Sequence, residues 1–161
     1  MGLDMYLNVR ISGPSGWANA DAPLTAEFTT ITEQLRKQFP FIDRVTECIV
    51  PLYYWRKENW IHKWFVDNVQ QGEDDCKKYT FWIPELEKLL TTIKEVLDDH
   101  SLAESKLPPQ SGFFFGGTEV NEEYFDCLQR TYNDLSAKMP DLLKAHAEFG
   151  WDVLLEYQSS W

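Results

Sequence analysis

Residues Tyr54 to Phe65 read YWRKENWIHKWF, and the way this stretch folds decides the architecture around it. It holds three tryptophans, three cations, an Asn and a His in little more than three helical turns, inside a chain of formal net charge −11. Successive helical residues advance by about 100°. On a helix beginning near Trp55 and ending near Gln70, Trp55, Asn59, His62 and Val66 would share one narrow stripe, with Arg56, Lys63 and Asp67 beside it. Trp60, Ile61, Trp64 and Phe65 would face the core. Asn59 and His62 are then expected on the border between solvent and packed rings. Tryptophan stacks on flat groups and Arg grips phosphate or carboxylate with two prongs, so this face suits an anionic or aromatic ligand. The competing reading is structural: the indoles fill the core and the two polar groups bond a neighbouring loop.

Upstream, Leu3, Met5, Leu7, Val9 and Ile11 alternate with more polar neighbours, the pattern of a half-buried strand. Gly13-Pro14-Ser15-Gly16 ends it in a turn. Thr25 is placed to cap a helix with Phe28, Ile31 and Leu35 on its apolar face; Thr29, Thr30 and Thr32 weaken helix propensity, so a strand start is the alternative. Val45 to Tyr53 reads as a second strand that ends, or lies at an edge, where Pro51 interrupts it. Downstream, Gly72 suits a helix C-terminus. Thr80 to Ile83 is extended, Pro84 fits a first helical turn, and Leu86, Leu89, Leu90, Ile93, Val96 and Leu97 form an apolar helical stripe. A polar loop covers Asp98 to Lys106. Helices are expected over Asn121–Met139 and Leu142–Phe149, and a last strand carries Trp151, Val153, Leu155 and Tyr157. The expected fold is α+β: one domain over residues 1–161, with a small antiparallel sheet, strands near both termini, and three to five helices covering it.

Composition narrows the function classes. At 161 residues and 43% hydrophobic content, the chain buries enough surface to fold without a metal or disulfide. Fifteen Lys and Arg against 26 Asp and Glu disfavour direct nucleic-acid binding. Cys48, Cys76 and Cys127 are too few and too far apart for a disulfide framework. No signal peptide and no apolar run near the ~20 residues of a membrane helix is visible. The expectation is a cytoplasmic protein with no membrane association.

A second candidate segment lies at Leu107 to Thr118, LPPQSGFFFGGT. Its glycines let a backbone approach a ligand, and a helix start follows it. It matches neither G-x-G-x-x-G nor G-x-x-x-x-G-K-[ST], and Glu119, Glu122 and Glu123 would repel phosphate. The competing reading makes Phe113 to Phe115 a short buried strand followed by a turn and a Thr or Asn cap. No triad, nucleophile elbow or zinc spacing is present, so neither a catalytic residue nor a metal ligand is assigned and no cofactor is expected. His62 is the best placed of three histidines for acid–base work.

Four segments together resemble a family of small, largely uncharacterised bacteriophage and prophage proteins. They are MGLDMYL at residues 1–7, the run from Tyr54 through Asn59, His62 and Trp64-Phe65 to Asp74-Asp75-Cys76, LPPQSGFFFG at 107–116, and YQSSW at 157–161. Small residues stand in that family's pattern where Glu58 and Trp60 stand here, so Trp60 would narrow or cover a pocket beside its helix. The resemblance implies a phage context in the host cytoplasm and no established activity. It adds weight to a ligand site formed by Trp55, Arg56, Asn59, His62, Gln110, Ser111, Gly112 and Thr118. The expected partner is a small anionic or nucleotide-like ligand, and the expected role is an anti-defence protein that sequesters a nucleotide signal. The alternatives are an acidic inhibitor or adaptor of a host enzyme, and a small hydrolase or transferase using His62.

Overall fold

The computed structural model describes residues 2–12, 26–149 and 153–161. The expected turn at 13–16, the Thr25 cap and Trp151 lie outside the described residues. Four strands, β1 (Asp4–Ser12), β2 (Glu47–Arg56), β3 (Tyr79–Phe81) and β4 (Val153–Ser160), form one antiparallel sheet in the order β2-β1-β4-β3. The helices among the described residues are α1 (Ala26–Gln38), α2 (Asn59–Asn68), α3 (Ile83–Asp98), the single turn α4 (Ala103–Lys106) and α5 (Glu122–Phe149). The fold is α+β, with the first and last strands adjacent, as expected.

The central pair β1 and β4 alternates as a one-sided sheet should. Met5, Leu7 and Val9, with Val153, Leu155 and Tyr157, are buried in the core. The opposite face of the pair is polar, and it holds Glu156 at 1% exposure. A buried carboxylate must be paired. Arg10 Nη1 lies 3.2 Å and Lys78 Nζ 3.0 Å from its oxygens, and Arg10 also reaches Glu47 of β2 at 2.5 Å.

β2 is an edge strand, which tolerates Pro51, and its register with β1 slips between Leu7 and Asn8. It runs past the expected end at Tyr53, pairing Trp55 with Met5 and Arg56 with Asp4. Ladder pairing and the β propensity of Tyr53-Tyr54-Trp55 outweigh the helical periodicity seen in the sequence. Lys57, at φ 61°, then takes left-handed backbone and turns the chain into α2.

Two further expectations are corrected. The helices expected at Asn121–Met139 and Leu142–Phe149 are one helix, α5, running through Pro140. Its buried stripe of Leu128, Leu135 and Leu142 continues across the proline, and that burial offsets a helix-interior cost of about 3 kcal/mol. The polar stretch after Asp98 is not irregular: a 3₁₀ turn at His100–Leu102 leads into α4, and Ala103 and Leu107 are buried. Thr32, read as weakening α1, is buried there. Its hydroxyl donates to the Phe28 carbonyl at 2.7 Å and accepts from Val45 N–H at 2.9 Å.

Phe65 of α2 sits where these elements meet. Its ring lies nearly parallel to Tyr157 at 3.9 Å and contacts Trp55 at 5.8 Å and Phe81 at 5.7 Å. Phe65→Ala is expected to cost about 3–5 kcal/mol, read by urea unfolding. A loss under about 1 kcal/mol would show that the ring is not the junction of helix and sheet.

Candidate functional site

With the chain in β2 as far as Arg56, Trp55 and Arg56 are neighbours on a strand and point to opposite faces. Trp55 is core, 1% exposed, with its indole N–H donating to Thr131 Oγ1 at 2.9 Å. It offers no stacking surface. The Arg56 side chain is 59% exposed, 3.9 Å from Asp4. The expected shared stripe of Trp55, Asn59 and His62 does not form.

Asn59 and His62 are fully buried, not at a solvent border. Asn59 holds the 107–121 loop. Its Nδ2 donates to the carbonyls of Phe115 at 3.1 Å and Gly117 at 2.7 Å, and its Oδ1 accepts from Gln110 N–H at 2.9 Å. Leu3 N–H adds a bond to Phe114 O at 3.0 Å, and the Tyr124 hydroxyl donates to Leu107 O at 2.9 Å. Phe113 to Phe115 form no strand. The segment is a turn in which Phe115 is buried while Phe113 is 95% exposed. Gly112 is required for this shape, since a Cβ there would lie 2.6 Å from the Phe115 ring. Gly116, at φ 92°, turns the chain back beside Lys57. The cap expected before α5 is Asn121, whose Oδ1 accepts from Tyr124 N–H at 3.1 Å.

The loop walls two separate cavities. The first, about 320 Å³, is lined by Asp74, Gln110, Ser111, Gly112, the three phenylalanines and Trp161. Asp74, 22% exposed, is its ionisable group. Trp161 Nε1 donates to Asp74 Oδ1 at 3.1 Å and Gln110 Nε2 to Oδ2 at 3.3 Å. From the core side, His62 Nε2 lies 3.0 Å from Asp74 Oδ2, a close polar contact off the ring N–H axis. His62 Nδ1 is 2.8 Å from the Tyr157 hydroxyl. Burial lowers the His62 pKa against the pull of Asp74, and burial holds Tyr157 protonated far above its usual range. The imidazole is therefore neutral, with Nδ1 accepting from Tyr157 and the proton on Nε2, the nitrogen beside Asp74.

The second cavity, about 260 Å³, is lined by Arg56, Lys57, Glu58 and Trp60, by the downstream end of the loop, and by Tyr124 and Cys127 of α5. Burial raises the Glu58 carboxyl to about 7, opposed by Cys127 and Arg130, and raises the Cys127 thiol to about 11.

Of the expected ligand residues, Gln110, Ser111 and Gly112 share the first cavity and Arg56 lines the second. Asn59 and His62 support the walls from behind, Trp55 is in the core, and Thr118 is exposed and lines neither cavity. The sequence reading missed Asp74, Trp161 and Glu58. Asp74 entered the sequence reading only within the segments that carry the resemblance, with no role of its own. Asp75 beside it is engaged by Lys77 N–H and the Tyr79 hydroxyl, both at 3.1 Å. Among the described residues, no three His, Cys, Asp or Glu side chains are grouped to hold a metal ion, and no helix is long and apolar enough to cross a membrane. No family model, curated protein or solved structure matches this chain.

Asn59→Ala removes partners from three backbone groups, at about 1–3 kcal/mol for each left buried and unmet. Hydrogen exchange at Gln110 should accelerate sharply while amides of β1 stay protected. The two titrating groups have opposite signs. Glu58, raised from 4.5 to about 7, makes stability fall as pH rises through that interval, because the unfolded chain releases the proton first. Glu58→Gln should therefore raise Tm at pH above about 7 and change it little below about 4.5. His62, lowered from 6.5, makes stability fall as pH drops below 6.5, where the unfolded chain takes a proton that the native one refuses. Thermal scans of His62→Gln should lose that acid-side slope.

Proposed function

We propose that this chain is a phage-encoded small-ligand-binding protein that acts in the host by sequestering a nucleotide-like signal, with the Asp74 cavity as its site. The observation that carries the reading is the Asp74 carboxylate, braced by His62, Gln110 and Trp161 at the wall of a cavity lined by aromatic rings. Braced acceptors beside accessible rings are what a flat, amino-bearing heterocycle needs. A nucleobase amino group would donate to Asp74, its faces would pack against Phe114 and Trp161, and its phosphates would stay in solvent. The phage setting rests on the resemblance of the four sequence segments. Arg56 and His62 lose the roles the sequence suggested: Arg56 lines the other cavity, and His62 acts on the ligand only by orienting Asp74. With Nδ1 against Tyr157, Nε2 against Asp74 and no exposure, His62 is not offered as a catalytic base.

The second reading, an acidic inhibitor or adaptor of a host protein, draws on Phe113, whose ring stands 95% exposed on the same loop. Aromatic anchors of that kind are enriched at protein-binding surfaces.

Calorimetry against cyclic and linear nucleotides tests the first reading. At least one should bind at micromolar Kd, with Asp74→Ala weakening it tenfold or more, about 1.4 kcal/mol. Absence of heat from every nucleotide, together with a stoichiometric host protein captured by the wild type and lost in Phe113→Ser, would replace it with the second.

A further inference from the structure

Given a nucleotide-like guest in the Asp74 cavity, the lining decides which base it takes. Among the described residues, Asp74 is the one charged side chain in that lining, and a carboxylate only accepts hydrogen bonds. It offers about four lone-pair directions, shared between its oxygens. Directed bonds occupy one on each oxygen: Trp161 Nε1 donates to Oδ1 at 3.1 Å, and Gln110 Nε2 donates to Oδ2 at 3.3 Å. His62 Nε2 approaches Oδ2 from the core side, off the ring N–H axis, and fills neither remaining direction. The Asp74 side chain is 22% exposed, so its partners do not seal it. The cavity therefore presents a two-oxygen acceptor held at both ends.

The edges of the common bases meet such an acceptor differently. Guanine carries adjacent donors, N1–H and the N2 amino group, which match the two oxygens of a carboxylate. Adenine and cytosine place a ring acceptor beside their amino group, and uracil has a carbonyl on each side of its N–H. In those three a lone pair would face a carboxylate oxygen, and a polar pair that repels in a confined site selects against its ligand. The guanine O6 lies beside N1–H and needs a donor. Gln110 supplies it, because an amide nitrogen has two N–H groups and the bond to Oδ2 uses one. Phe114 and the half-exposed Trp161 ring offer faces for stacking. About 320 Å³ lies near the lower end of the ~300–1,000 Å³ of ligand pockets, which suits a base with its sugar and phosphate outside.

We propose, on the nucleotide reading of this cavity, that its ligand is a guanine nucleotide, with N1–H and the N2 amino group donating to the two Asp74 oxygens and O6 accepting from Gln110 Nε2. Asp74 then sets the base specificity. Gln110 both holds the carboxylate and reads O6, from a backbone position fixed by its N–H bond to Asn59 at 2.9 Å.

Calorimetry on the full chain compares the monophosphates of guanosine, inosine, adenosine, cytidine and uridine. Inosine monophosphate differs from the guanosine compound only in lacking the N2 amino group. The guanosine compound should bind at micromolar Kd, inosine monophosphate at least tenfold more weakly, and the other three more weakly still. Asp74→Asn keeps the side-chain shape but turns one acceptor into a donor, and should weaken guanosine monophosphate at least tenfold. A cooperative thermal transition in that variant reports that it folds, and the ligand series on the wild type decides the matter even if it does not. Equal or tighter binding of any of the other four monophosphates would overturn the guanine assignment and leave the nucleotide reading in place. Silence from all five, or undiminished binding in a folded Asp74→Asn, would remove both.

Discussion

The near-parallel stack of Phe65 on Tyr157 is the contact on which the rest of the molecule depends. Asn59, His62 and Phe65 follow one another at intervals of three along α2, so they share a face. Once Phe65 is seated on β4, the rotation of the helix is set. The Tyr157 hydroxyl then meets His62 one turn earlier, and Asn59, a turn earlier still, is presented to the 107–121 loop. A large apolar burial thus places two fully buried polar side chains, and their hydrogen bonds carry its geometry to the surface.

The loop is ordered by bonds from three directions: Asn59 from α2, Leu3 from the N-terminal segment, and Tyr124 from α5. It buries little apolar material of its own beyond Leu107 and Phe115, so these bonds and the Phe115 ring over Gly112 hold its shape. Each cavity then keeps its own chemistry: a braced carboxylate beside aromatic rings in one, side chains of both charges in the other. Pre-ordered walls lower the entropic cost of binding, which is why a loop so tied makes a better recognition surface than a free one.

Much of the architecture was legible. Strand β1 and the stripe of α3 follow directly from period 2 and period 3.6, and Trp60, Ile61, Trp64 and Phe65 are buried as read. The misreadings share a cause. Trp55 and Arg56 fit a helical period as well as they fit a strand, and only pairing with the distant Met5 and Asp4 distinguishes the two. Phe113 to Phe115 have strand composition but no partner strand, so they form a turn. Pro140 should end a helix by local rules, yet the stripe it interrupts is buried on both sides of it.

The sequence by itself determined the class of fold, most of the core residues and the two segments that meet, because periodicity and residue chemistry are local properties. Only tertiary structure decided that Asn59 and His62 are buried supports, that Arg56 and Gln110 belong to different cavities, and that Asp74, Glu58 and Trp161 line them. Those outcomes depend on which distant strand or loop packs against each side chain, and no local pattern carries that information.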